Sequence, residues 1–472
     1  MTANRETRSD VDLLLHGATV VTMNPRREVL TPGHLAISGG RITTVGAGEP
    51  SSIHAAESRD LSGSIVLPGF VNTHDHLVSA LTRGLGGDRF LSGGDPKGRE
   101  LAAAIRLSLD EDACYAGARL ALAELMLSGV TTTTDSQVAR RGLEGGSDGT
   151  LRALTESGVF GVFFRASVDR TEIVPLPQHD DPKLALSELD RLRLAWASDR
   201  IVVGAEAMAM HRVGTQLLKD LHTWSSQNAA PFAMHISYSE EAAQYAVDEH
   251  GARLLRVLEE WGILDERFLG YHPIWLDEEE IAALARTDAG VALCSAANML
   301  IGTAAAPLQQ LTAANTRLGL GTDQPNDGHN FFEVMKATVL HQRADRRSTD
   351  VGSPEQALEL ATIGGARSLH LEHEIGSLEV GKRADLVILD SSSPILSPTP
   401  ARISNIVYAA GPADIDTVII DGRDVVRDRT LQVWEVADVG EHANRVVRTA
   451  LRAEGLPSDI ITSWPVITAE PS

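Results

Sequence analysis

Four short apolar runs in this chain end on side chains able to hold a cation, in the order His74-Asp75-His76, His235, His272 and Asp323. This pattern constrains the fold more than any other feature. Parallel strands buried on both faces read as continuous hydrophobic segments, and in a barrel their carboxyl ends converge on one rim. Residues two apart in a strand share a face, so His74 and His76 can grip one ion while Asp75 looks elsewhere. His235 closes Pro231-Phe232-Ala233-Met234, His272 closes Phe268-Leu269-Gly270-Tyr271, and Asp323 closes Leu318-Gly319-Leu320-Gly321-Thr322. Imidazole nitrogens with one carboxylate suit one divalent ion, zinc first and ferrous iron as the alternative, and an open coordination position admits water.

Four further apolar runs, at residues 129–134, 159–165, 201–205 and 290–294, bring the strand count to eight. Segments with helical periodicity lie between them, for example 113–128 and 242–261. Eight strand-helix units in series predict an α/β chain built on a (β/α)8 TIM barrel over residues 67–375. Short strands gather at both ends, with turns at Gly39-Gly40 and Asp421-Gly422. Residues 11–66 and 376–435, the latter including a strand at 403–408, are expected to pair as one small β-sandwich. Residues 436–472 should form a C-terminal helix and an extended tail.

Composition excludes several classes of partner. With 42 basic and 64 acidic residues the net charge is -22, which opposes nucleic acid and anionic membranes and leaves small molecules as the expected partners. Cys114 and Cys294 are too few and too far apart for a disulfide framework or a thiolate site, which fits a reducing cytoplasm. The first ten residues carry no apolar core of a leader, and no apolar segment is long enough to span a bilayer.

Pro68-Gly69-Phe70-Val71-Asn72-Thr73-His74-Asp75-His76 at the barrel entrance and Gly376-Ser377-Leu378-Glu379-Val380-Gly381-Lys382-Arg383-Ala384-Asp385-Leu386-Val387 at its exit strongly resemble the amidohydrolase superfamily. Within it the chain is similar to the branch of cytosine deaminases, guanine deaminases and triazine chlorohydrolases. The resemblance spans about residues 13–430 and includes the stretch from Ser295 through Asn298, Gly302 and Pro307 to Asp323. It implies an ion held by His74, His76, His235 and Asp323, and His272 in contact with the attacking oxygen or the leaving group. It also implies a dimer or larger homo-oligomer. One position departs from the pattern: branch deaminases carry a glutamate three residues after the fifth-strand histidine, and here that residue is Tyr238. Glu240 and Glu241 follow and could substitute only through a rearranged loop. Strand four reads into Glu206 with no lysine for a carbamate, which favours a single ion.

Asp323, with one oxygen free, is the expected proton carrier, taking a proton from water and giving it to the departing nitrogen. His272 would stabilise charge on the attacked group, support the site from outside, or bind the ion. A phenol at Tyr238 can hydrogen-bond a ring nitrogen but shuttles protons poorly near neutrality. Trp275, Arg83, Asn298, Asn326, Asp327 and His329 are candidate pocket walls, Trp275 as a stacking surface. The leading expectation is a metal-dependent aminohydrolase, a deaminase of a small nitrogen heterocycle. The alternatives are amide or lactam hydrolysis, dechlorination or a lyase reaction on the same ion.

Overall fold

The computed structural model describes residues 10–50, 52–84, 109–138, 146–170, 180–324, 328–453 and 455. Strands β1 (Val11–Val21), β2 (Val29–Ser38), β3 (Arg41–Ala47), β4 (Ala55–Asp60) and β5 (Ser64–Pro68) come first. The barrel follows as β6 (Phe70–Asn72), β7 (Val130–Val138), β8 (Phe160–Ser167), β9 (Ile201–Ala207), β10 (Phe232–His235), β11 (Phe268–Tyr271), β12 (Gly290–Leu293) and β13 (Arg317–Leu320). The chain then returns through β14 (Leu386–Asp390), β15 (Ile415–Ile420), β16 (Arg423–Arg427) and β17 (Thr430–Leu431). The eight barrel strands close in order, all parallel, as the apolar runs predict. The two chain ends share one nine-stranded mixed sheet, joined where β14 lies antiparallel to β5.

Alternation along the barrel strands divides the core. Phe160, Val162, Phe164, Ala233, Leu269, Tyr271 and Ala292 fill the barrel interior as one cluster. Their neighbours Phe163, Phe232, Met234, Phe268, Val291 and Leu293 face the helices. A separate core of Leu15, Val20, Leu35, Ile37, Leu386 and Ile388 holds the terminal sheet. None of the helices among the described residues is long and apolar enough to cross a membrane.

Three expectations need correction. The apolar run that leads to His74, at residues 63–71, is not one strand: it splits between the terminal sheet (β5) and the barrel (β6) at Pro68-Gly69. The backbone passes so close to β7 there that a Cβ on Gly69 would lie 2.1 Å from Thr131 Oγ1. The segment 403–408 is helical, within Arg402–Tyr408, because Ile403, Ile406 and Val407 recur at helical rather than alternating spacing, with Ile406 and Val407 buried. The helix expected over 242–261 is two helices, Glu240–His250 and Leu254–Glu260. Gly251 ends the first in the left-handed conformation, at φ 74°. The tail beyond Ser463 lies outside the described residues.

Candidate metal centre

The strand ends bring His74, His235, His272 and Asp323 together, with one ligand atom of each within 4.8 Å of the others. His76 joins them, its Nε2 3.4 Å from Asp323 Oδ1. His74 Nε2 lies 3.3 Å and His272 Nε2 3.5 Å from the same carboxylate. Asp323 (φ 62°) and His272 (φ 57°) are both left-handed, a conformation that side chains other than glycine adopt at a cost and that here turns each out of its strand toward the rim.

Each ring is held by contacts behind it. His76 Nδ1 donates to the Ser136 carbonyl at 2.6 Å, which leaves Nε2 to face the cluster. His272 Nδ1 donates to Asn298 Oδ1 at 3.1 Å, with the same effect. The His74 ring stacks on Tyr271, centroids 3.7 Å apart. Both nitrogens of His74, Nε2 of His76 and Nδ1 of His235 are buried with no hydrogen-bond partner. Buried polar atoms are normally satisfied, and a converging group of orphaned imidazole nitrogens beside a carboxylate fits a cation.

The electrostatics agree. Burial pushes the His74 imidazole down to about 3, despite Asp323. Burial and the neighbouring histidines hold His235 well below its usual value. Both rings are therefore neutral, with lone pairs to give. Against the burial that would raise it, His272, His74 and His76 hold the Asp323 carboxyl well below the carboxylate range. Beneath the centre Glu206 accepts from Ser136 Oγ at 2.9 Å and lies 3.4 Å from His235 Nδ1, and burial lifts it to about 8. Burial likewise raises Asp135 to about 7. The sequence assigns neither a role; Glu206 is marked by lying in the otherwise apolar strand β9, whereas Asp135 lies in the polar run of β7 and carries no such mark.

A pocket of about 180 Å³ opens over the cluster, lined in part by Tyr238, Asn298, Arg212 and Gln324. Tyr238 donates to His211 Nε2 at 3.2 Å. Glu240 and Glu241 sit in the first turn of their helix and line a different cavity of about 790 Å³, so neither occupies the place of the branch glutamate. Trp275, expected as a stacking wall, lines that second cavity instead: past left-handed His272 the chain turns away, and Trp275 N bonds to Ser237 O at 3.0 Å. Asn326 and Asp327 lie outside the described residues.

Two other expected pocket residues, the half-buried Arg83 and the buried His329, are structural groups behind the site. Arg83 grips Glu124 with two bonds of 2.6 and 2.7 Å. Glu124 accepts from His329 Nδ1 at 3.0 Å, and His329 Nε2 reaches Asp75 Oδ1 at 3.3 Å. Asp75 also accepts from Thr322 Oγ1 at 2.8 Å and Asn72 Nδ2 at 2.9 Å, while Asp323 N bonds to His74 O at 3.0 Å. The network ties the loop of His74 and His76 to that of Asp323.

Burial alone would lower His329, but Asp75 and Glu124 overcome it and lift the imidazole to about 9. The raised value stabilises the folded state below pH ~6.5, and that contribution is lost as pH rises through about 9. A gap of that size corresponds to roughly 3 kcal/mol. Urea unfolding at about pH 6 and pH 9 is expected to show this loss in the native chain and a much smaller one in His329→Gln; equal slopes would contradict the assignment.

The amidohydrolase family model matches residues 65–425. A 5-methylthioadenosine/S-adenosylhomocysteine deaminase of Syntrophobacter fumaroxidans is 30% identical over 450 residues, covering 93% of this chain and 99% of the relative. A 5'-deoxyadenosine deaminase of Methanobrevibacter smithii is 28% identical over 93% of this chain and 98% of its own. Among solved structures, an adenosine deaminase from Xanthomonas campestris with bound zinc superposes with a TM-score of 0.85 at 24% identity, covering 94% and 99% of the two chains. A zinc complex of atrazine chlorohydrolase from Arthrobacter aurescens gives 0.83 at 20% identity over 92% and 100%. These two likenesses show the fold.

Proposed function

The chain belongs to the amidohydrolase family, and on that premise we propose that it is a metal-dependent aminohydrolase that releases ammonia from a small nitrogen heterocycle. The observation that carries this reading is the convergence of His74, His76, His235, His272 and Asp323 on one point beneath a pocket of about 180 Å³. His74, His76, His235 and Asp323 would hold the ion, zinc before iron on the donor set. When bound, such an ion lowers the pKa of a water from 15.7 to about 7 and polarises the group under attack.

The chain's own residues supply the rest. An Asp323 oxygen takes a proton from the water and returns it to the departing nitrogen, acting as base and then as acid. His272, aimed by Asn298, presents Nε2 toward the oxygen that becomes charged. Tyr238 lines the pocket and bonds to the neutral His211. Burial, with Arg212 and Arg170 nearby, pushes His211 down to about 4. A phenol so placed orients a ring nitrogen without delivering a proton to it, which suits electron-poor rings.

Tyr238 also supports a second reading, hydrolysis of an amide, lactam or ring-chlorine bond, where protonation of a ring nitrogen is not required. The two separate in one experiment. Ammonia release from zinc-loaded enzyme over a panel of aminopurines, pterins, aminopyrimidines and aminotriazines supports the first. Silence on that panel, with chloride or ring-opened product from chlorotriazines and cyclic amides, replaces it with the second. A homodimer or larger assembly in the cytoplasm completes the proposal, and light scattering reads its size.

A further inference from the structure

The pocket over the metal centre contains a cation that the reaction does not use. Arg212 follows β9 and lines the pocket together with Tyr238 and Gln324. Its backbone is fixed, because its carbonyl accepts the N–H groups of Asp169 (3.2 Å) and Arg170 (3.1 Å). Its side chain has no carboxylate partner among the described residues, and Nε donates to His211 Nε2 at 3.3 Å. Asp169, the nearest acid in sequence, instead accepts the Gly214 N–H at 2.6 Å. The carboxylate that lines the pocket among the described residues is Asp323, which the histidines engage.

A half-buried guanidinium held without a counter-charge is costly unless something supplies one. Nε is turned to His211, so the two terminal nitrogens remain for a planar oxyanion, which a guanidinium binds through two parallel bonds. His211 cannot take over this role, since it is neutral and accepts the Tyr238 hydroxyl. The field of the whole molecule does not favour anions, with a net charge of -22. A positive group inside the pocket is therefore a local, specific device.

We propose that Arg212 is a specificity-determining residue, and that the substrate is a nitrogen heterocycle bearing an anionic oxygen group, a carboxylate in its simplest form, which pairs with the Arg212 guanidinium while the ring lies over the metal centre. The heterocycle in this statement rests on the proposed function; the anionic group rests on Arg212 alone. Adenine-9-acetate and its methyl ester differ by one charge and serve as the probes. Calorimetry on the zinc-loaded enzyme is expected to show the acid binding at least about tenfold more tightly than the ester. Arg212→Gln should remove that preference by bringing the acid's affinity down to that of the ester, and Arg212→Lys should restore part of it, with a stronger salt dependence. Equal affinities in the native enzyme, including no binding of either probe, overturn the inference, as does a preference that survives in Arg212→Gln. Ammonia release from the same two probes is scored separately. A charge preference without ammonia from these two adenines leaves the anion site standing, and deamination is then decided by the wider panel of heterocycles; ammonia from both without a preference supports deamination and overturns the anion site.

Discussion

Replacing Asp323 by asparagine is expected to lower kcat at least about a thousandfold while the chain remains folded. The carboxylate stands at the crossing of three imidazole contacts, 3.3 Å from His74, 3.4 Å from His76 and 3.5 Å from His272. Asparagine keeps the shape and one oxygen but loses the charge and the ability to carry a proton. Metal content should therefore fall less than turnover does. Glutamate at this position should not restore activity, because the left-handed backbone at φ 62° and the bond from Asp323 N to His74 O fix where the side chain starts. Turnover within about tenfold of the native enzyme would remove Asp323 from the proton path.

The second large effect concerns Tyr238. Replacing it by glutamate is expected to raise kcat/KM for an unactivated aminopurine about a hundredfold, a typical contribution of a positioned acid-base group. The side chain lines the pocket beside His235, with ring centroids 6.5 Å apart, and neither Glu240 nor Glu241 reaches that place. A carboxyl there would face a ring nitrogen with a group able to exchange a proton near neutrality. Steady-state ammonia release decides the matter. No gain, with metal retained, would mean that position 238 does not limit ring protonation and that the proton arrives by another route.

What could be read from the residues, and what could not, follows the range of the interactions. A local rule, strand alternation, pairs His74 with His76 in the sequence although β6 itself ends at Asn72, and the apolar runs announce barrel strands because both faces of each are buried. The division of residues 63–71 between two sheets depends on Thr131 and on β14, both remote in sequence. Trp275 left the site because His272 is left-handed, a backbone state that its side chain does not announce. His329 is tied to Glu124 and Asp75, which lie 205 and 254 positions away, so no local pattern shows where it sits. Arg212 carries no mark in the sequence, since what distinguishes it is the lack of a carboxylate partner among the described residues.

Everything proposed for the chemistry depends on one cation seated among the four strand ends. Zinc stoichiometry combined with X-ray absorption at the zinc edge tests this most directly, on the native chain and on His74→Ala. The account predicts about one ion per chain in an imidazole-rich nitrogen and oxygen shell, lost together with turnover in His74→Ala. An ion held by sulfur, or metal content and turnover unchanged in His74→Ala, would contradict it.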